Sequence, residues 1–280
     1  MRRYYGLPAI LFALFAISST PCTAQEMDYP LAVAAAEARP IYIADRHLPG
    51  IWKFEGDELS MFFQGSKKFR TPLNAVRCVA LDHKGRLLAG DTSTRQVYRF
   101  DDSGQPVPLL TTKTGIGMPM ALVADAEGNI FICDLELRWI WKLAPDSTEP
   151  VKYAEVAAPR GIALDADGRL WCVSGGTKNQ LVRVETDGTV NVVVKEPTFE
   201  FPHQVVLDDE KTAYVTDSYA KAVWRIPLDG VPEKWISGAP LANPVGIARQ
   251  GKDLLIADPR AKAIFRIDAE GEISRVVPPG

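Results

Sequence analysis

Arg160, His203 and Asp217 supply the three side-chain types that an acidic ligand or a proton-transfer reaction requires. A guanidinium offers a planar fork that fits a carboxylate or phosphate. An imidazole exchanges protons near neutrality, and a carboxylate accepts hydrogen bonds or ligates a cation. Only His47, His83 and His203 are available as neutral-pH bases. The chain has no Gly-x-Ser-x-Gly elbow, phosphate loop, His-Glu-x-x-His or dinucleotide fingerprint, so no single motif names a reaction. The placement of these residues must come from the elements that carry them.

Those elements repeat. A hydrophobic-basic-hydrophobic triplet recurs around Lys53, Arg99, Lys142, Arg183, Arg225 and Arg266, with spacings of 46, 43, 41, 42 and 41 residues. A second marker keeps phase with it: Asp45, Asp91, Asp134, Ser174, Asp217 and Asp258. Two markers on one period define a repeat architecture. The unit near residue 160 reads as four short strands, 161–164, 170–173, 181–184 and 190–194, with Asp167-Gly168 and Asp187-Gly188 as hairpin turns. Helical periodicity is absent. Four antiparallel strands taken six times predict an all-β, six-bladed β-propeller. The triplets fall on the third strand of each blade. Small residues on the first strand, such as Gly161 and Ala163, suit the crowded axis.

The up-down strand order places the start of the first strand and the end of the second on one rim. Arg77, Met120, Arg160, His203 and Val245 therefore share that rim with the marker residues, around the mouth of the central tunnel. The simplest job for each marker Asp is to accept backbone N–H bonds from the following turn. Arg77 with Asp91 reads most simply as an internal ion pair. Blades four and five depart from the repeat. Ser174 replaces the marker Asp and precedes Gly175-Gly176-Thr177-Lys178-Asn179, and His203-Gln204 replaces a small residue. Arg160, Lys178 and His203 then either form a basic patch or are satisfied by a neighbouring acid such as Asp217. The predicted rim residues are Arg160, His203, Asp217, Arg77, Ser174 and Lys178.

The run Pro159-x-Gly161-Ile162-Ala163-Leu164-Asp165, followed by Asp167-Gly168 and, in the next unit, Trp224-Arg225-Ile226, resembles NHL-repeat propellers. It also resembles gluconolactonase and regucalcin-like propellers. The resemblance covers residues 30–280. It implies a binding or sensor module working through one rim, or alternatively a divalent-metal lactonase or hydrolase. The lactonase-like members hold their metal with a Glu from a Glu-Gly-Pro start, an Asn and an Asp. Asp217 matches the Asp, which would make it a ligand to Ca or Zn. The Glu-Gly-Pro start is absent, and Arg160 stands at the Asn position. No cofactor is firmly implied by the resemblance beyond one divalent cation, Ca or Zn, under the lactonase alternative.

The net charge is -3 with no basic run, which argues against a nucleic-acid partner. The expected partner at the rim is a small anionic molecule or a protein. Residues 1–24 read as a signal peptide: Arg2-Arg3, the apolar stretch Leu7 to Ile17, then small residues ending at Ala24. Cleavage there starts the mature chain at Gln25, with a short linker to residue 29, and predicts a periplasmic or extracellular location. No later segment is apolar and long enough to span a membrane. Cys78, Cys133 and Cys172 remain, an odd number in apolar strand patterns. At least one is unpaired within the chain, and none forms a CxxC motif.

Overall fold

Apolar residues crowd the second strand of the second, third and fourth units so densely that no face is left for water. The strands Leu87–Asp91, Ile130–Asp134 and Leu170–Ser174 are buried at every position. A strand buried on both faces needs a sheet packed against each side, which radial stacking of blades supplies. The structure, a computed structural model, describes Met1 and residues 26–111, 115–228 and 231–278. It forms six four-stranded sheets, each built from contiguous chain in the order of its strands. This is a six-bladed β-propeller with four antiparallel strands per blade, as the repeat predicts. Residues 2–25, which hold the expected leader and cleavage site, lie outside the described residues. Among the described residues no helix is long and apolar enough to cross a membrane.

The triplets lie on third strands. Trp52 is in Gly50–Glu55, Trp141 in Trp139–Leu143 and Trp224 in Ala222–Ile226. Their basic residues are held locally. Lys53 pairs with Glu55, Arg99 with Asp82, Arg183 with Glu185 and Arg225 with Glu233. Gly168 and Gly188 take φ of 78° and 87°, the left-handed conformation that their hairpin turns demand.

Ring closure uses packing in place of a shared strand. Val33, Ile43 and Trp52 of blade one form one buried cluster with Leu255, Ala257 and Ile264 of blade six. Met27, from the expected linker, is buried in the same cluster. Cys78, Cys133 and Cys172 are buried free thiols. Burial pushes the Cys78 thiol up to about 12, so it packs as a small hydrophobe.

Candidate functional site

The first strands begin irregularly, and the irregularity builds the site. Strand pairing slips between Pro30 and Ala32, Val76 and Cys78, Pro159 and Gly161, and Pro202 and Val205. In blade three it slips at Cys133/Asp134, opposite Met120. The skipped residues are Leu31, Arg77, Met120, Arg160 and His203-Gln204. All of them line the central cavity. A bulge re-aims the side chain of its extra residue and ends regular pairing. Proline starts four of these strands, where a missing N–H costs no ladder bond.

Arg77 and Arg160 are half-buried in this mouth beside His203. Among the described residues, neither guanidinium forms an ion pair or donates a hydrogen bond, and Arg160 Nε is fully buried without a partner. Arg160 instead lies over the Phe201 ring at 4.2 Å. Gly175 admits it: a Cβ there would meet Arg160 Nε at 2.4 Å. Burial lowers the proton affinity of Arg77, and the charges of Arg46 and Arg160 lower it further. Burial does the same at Arg160. An arginine stays charged in proteins, so both shifts report cations in an unfavourable place.

His203 Nε2 lies 3.0 Å from Ser218 Oγ. Burial, then the charges of Arg77 and Arg160, push the imidazole down to about 3. It is therefore neutral at neutral pH. An unfolded histidine titrates near 6.5. Below that pH the unfolded chain takes up a proton that the native chain refuses, so this group costs stability as pH falls toward 3. The slope approaches about 1.4 kcal/mol per pH unit. In urea unfolding, the His203→Gln protein is expected to lose less stability than wild type on moving from neutral to mildly acidic pH. Equal losses would show that His203 ionises freely in the fold.

The other rim residues have structural partners. Asp217 is fully buried and accepts N–H bonds from Glu200, Phe201 and Ala220 at 2.7, 2.9 and 3.2 Å. Ser174 Oγ donates to the Ala157 carbonyl at 2.6 Å and accepts from Gly176 N. Lys178 is exposed and does not line the mouth. The expected Arg77–Asp91 ion pair is not made. Asp91 accepts from Ala75 N, Ser93 N and Thr94 Oγ1, and the bulge carries Arg77 off the regular register. Gln204 is also structural: its Oε1 accepts from Ile162 N at 2.8 Å, stapling blade five to blade four.

A divalent cation does not fit this donor set. The mouth presents two guanidinium groups, and Asp217 spends its oxygens on backbone N–H groups. Among the described residues no three His, Cys, Asp or Glu side chains cluster as a metal centre requires.

Comparison with family models and with curated proteins gives no match. Solved structures share the fold. A virginiamycin B lyase from Staphylococcus aureus superposes with a TM-score of 0.69 at 18% identity, covering 90% of this chain and 85% of its own. A gluconolactonase from Xanthomonas campestris gives 0.71 at 14%, covering 89% and 87%. A chain of a nidogen/laminin complex gives 0.65 at 20%, covering 82% and 85%. Identities this low establish the propeller fold and no more.

The sequence pointed to Arg77, Arg160 and His203 at one mouth, and all three meet there. It missed Phe201, Ser218 and Tyr219, which hold the arginine and the imidazole from outside the first strands. The signal was present in Phe199-Glu200-Phe201 and Ser218-Tyr219, aromatic residues in links expected to be polar.

Proposed function

We propose that the mouth takes the acidic or carbonyl group of a small molecule between Arg77 and Arg160, and that the chain acts on that molecule as a metal-independent lactonase or lyase. The observation that carries the reading is the pair of half-buried guanidiniums with no acid beside them among the described residues. Buried charge of one sign is costly without a counter-ion, and a ligand oxyanion supplies one. Forked donors in a recessed site also stabilise charge that develops on a carbonyl or enolate oxygen. His203 is neutral beside them and hydrogen-bonded to Ser218, so it can accept a proton. Its basicity rises once a bound anion offsets the two arginine charges. The fold shared with a gluconolactonase and a virginiamycin B lyase supports the enzymatic reading over a purely binding one.

A screen of lactones and of acids with an eliminable group tests this. Turnover is expected in wild type, with His203→Asn losing on the order of a hundredfold in kcat, the usual scale for a proton-transfer group. Binding without turnover across the screen would favour the second reading, a sensor propeller, which rests on the same unpaired arginines. Failure of any anion to bind would remove both. We also infer export from the Arg2-Arg3 and Leu7 to Ile17 pattern. Mass spectrometry is expected to find Gln25 at the mature N-terminus, and an intact Met1 in the native host would refute it.

A further inference from the structure

Beside the mouth, on the flank formed by blades five, six and one, lies a groove lined by Tyr29, Ser218, Tyr219, Lys221, Asn243 and Arg260. Two links join it to the mouth. Ser218 lines the groove and hydrogen-bonds His203. Tyr219 lines the groove and stacks on Phe201, with ring centres 4.7 Å apart and planes within 18°. Phe201 in turn carries Arg160. One continuous stack therefore runs from the unpaired guanidinium to an aromatic ring that is 67% exposed.

The groove is also cationic. Among the described residues the side chains of Lys221 and Arg260 make no hydrogen bond or ion pair, although both are exposed. Two acids of the adjoining links are engaged. Asp28 is held by Lys262 at 2.8 Å and His47 at 3.4 Å, and buried Asp258 accepts four backbone N–H groups. An exposed tyrosine face stacks a flat ring, while a cation beyond it attracts a second acidic group.

We propose that this groove is a second subsite, and that the ligand is an elongated molecule with an acidic group at each end of a ring-bearing body. One acid lies between Arg77 and Arg160, a ring covers Tyr219, and the second acid faces Arg260 and Lys221. The inference rests on the mouth being an anion subsite. Two chemistries share this plan, an acidic disaccharide and an aromatic diacid.

Titration calorimetry at low salt separates the possibilities, with digalacturonate against galacturonate and biphenyl-4,4′-dicarboxylate against benzoate. At least one dianion is expected to bind about tenfold or more tightly than its monoanionic half, and the pair that shows the gain identifies the chemistry. The gain is expected to vanish in Tyr219→Ala and in the Lys221→Ala/Arg260→Ala double variant, with monoanion affinity kept in the double variant. Arg160→Ala is expected to weaken monoanion and dianion alike. If dianion and monoanion bind equally, or if the groove variants keep the gain, the groove is not a subsite while the mouth reading stands. If no probe binds wild type, or if Arg160→Ala leaves all affinities unchanged, both readings fall.

Discussion

Replacing Arg77 by methionine is expected to make the ligand-free protein more stable and at the same time to abolish most of its anion affinity. The stability gain follows from charge burial. Arg77 sits in the mouth near Arg46 and Arg160 and has no acid partner among the described residues. Methionine keeps the length of the aliphatic stem and fills space with little strain. Its neighbours Leu31, Val33, Val79 and Met120 are apolar. Exchanging an unpaired, partly buried charge for a well-packed apolar side chain removes a desolvation cost that nothing in the ligand-free mouth offsets. The affinity loss follows from the same charge. A charge-assisted hydrogen bond contributes about 1.5–3 kcal/mol, which is roughly a ten- to hundredfold weaker Kd. Thermal unfolding with and without acetate or phosphate reads both effects, because a ligand of the native state raises Tm. Arg183→Ala is the control. Its partner is Glu185 at 2.8 Å and it lies on a third strand, so anion affinity is expected to stay within a factor of about two. A lower Tm for the ligand-free Arg77→Met protein would show that Arg77 has a partner that stabilises the fold.

The expected trade is typical of sites whose residues are poorly placed for folding. It also explains which parts of this molecule could be read without coordinates. The period of the triplets and of the marker Asp survives in the sequence because each blade solves the same packing problem with the same residues. Trp52, Trp141 and Trp224 take equivalent places for that reason. The rim followed from strand order alone, and Arg160 and His203 stood out because blades four and five break the pattern there. The partners of the charges were not legible. The bulges that swing Arg77 and Arg160 into the mouth depend on one-residue slips in pairing, and no residue pattern marks a slip. Arg77 beside Asp91 reads as an ion pair along the chain, but the slip takes Arg77 to the axis while Asp91 caps its own turn. The Phe201–Tyr219 stack joins a link before a first strand to a loop after a second strand, a contact set by blade curvature.

Asp217→Ala is expected to damage the fold itself, and the size of the damage distinguishes a structural carboxylate from a metal ligand. The Asp217 oxygens accept from the backbone N–H groups of Glu200, Phe201 and Ala220. Removing the carboxylate leaves these donors facing a buried space, at about 1–3 kcal/mol for each one that water cannot reach. Partial relaxation keeps the total near 3–5 kcal/mol, a Tm decrease on the order of 10 °C for a domain of this size. The marker positions should then form a series ordered by the donors each Asp satisfies. Asp134 accepts from Gly117, Met118, Glu136 and Leu137 N and from the Trp141 indole, so Asp134→Ala is expected to cost more than Asp217→Ala. Asp91 holds two backbone N–H groups and one hydroxyl, so its loss should cost less. A metal ligand predicts a different pattern, because chelation would reproduce the loss of Asp217 and of no other marker. EDTA is expected to leave the wild-type Tm unchanged. A chelator-induced decrease equal to that of Asp217→Ala, seen in wild type, Asp134→Ala and Asp91→Ala and absent from Asp217→Ala, would establish a cation at Asp217. Phe201 adds a further consequence. Its backbone N–H is held by Asp217 and its ring carries Arg160, so Asp217 is a positioning residue for the mouth. The surviving folded fraction of Asp217→Ala is therefore expected to bind anions several-fold more weakly than wild type. Asp91→Ala, in the blade that carries Arg77 on its first strand, has no such aromatic relay and is expected to change affinity less.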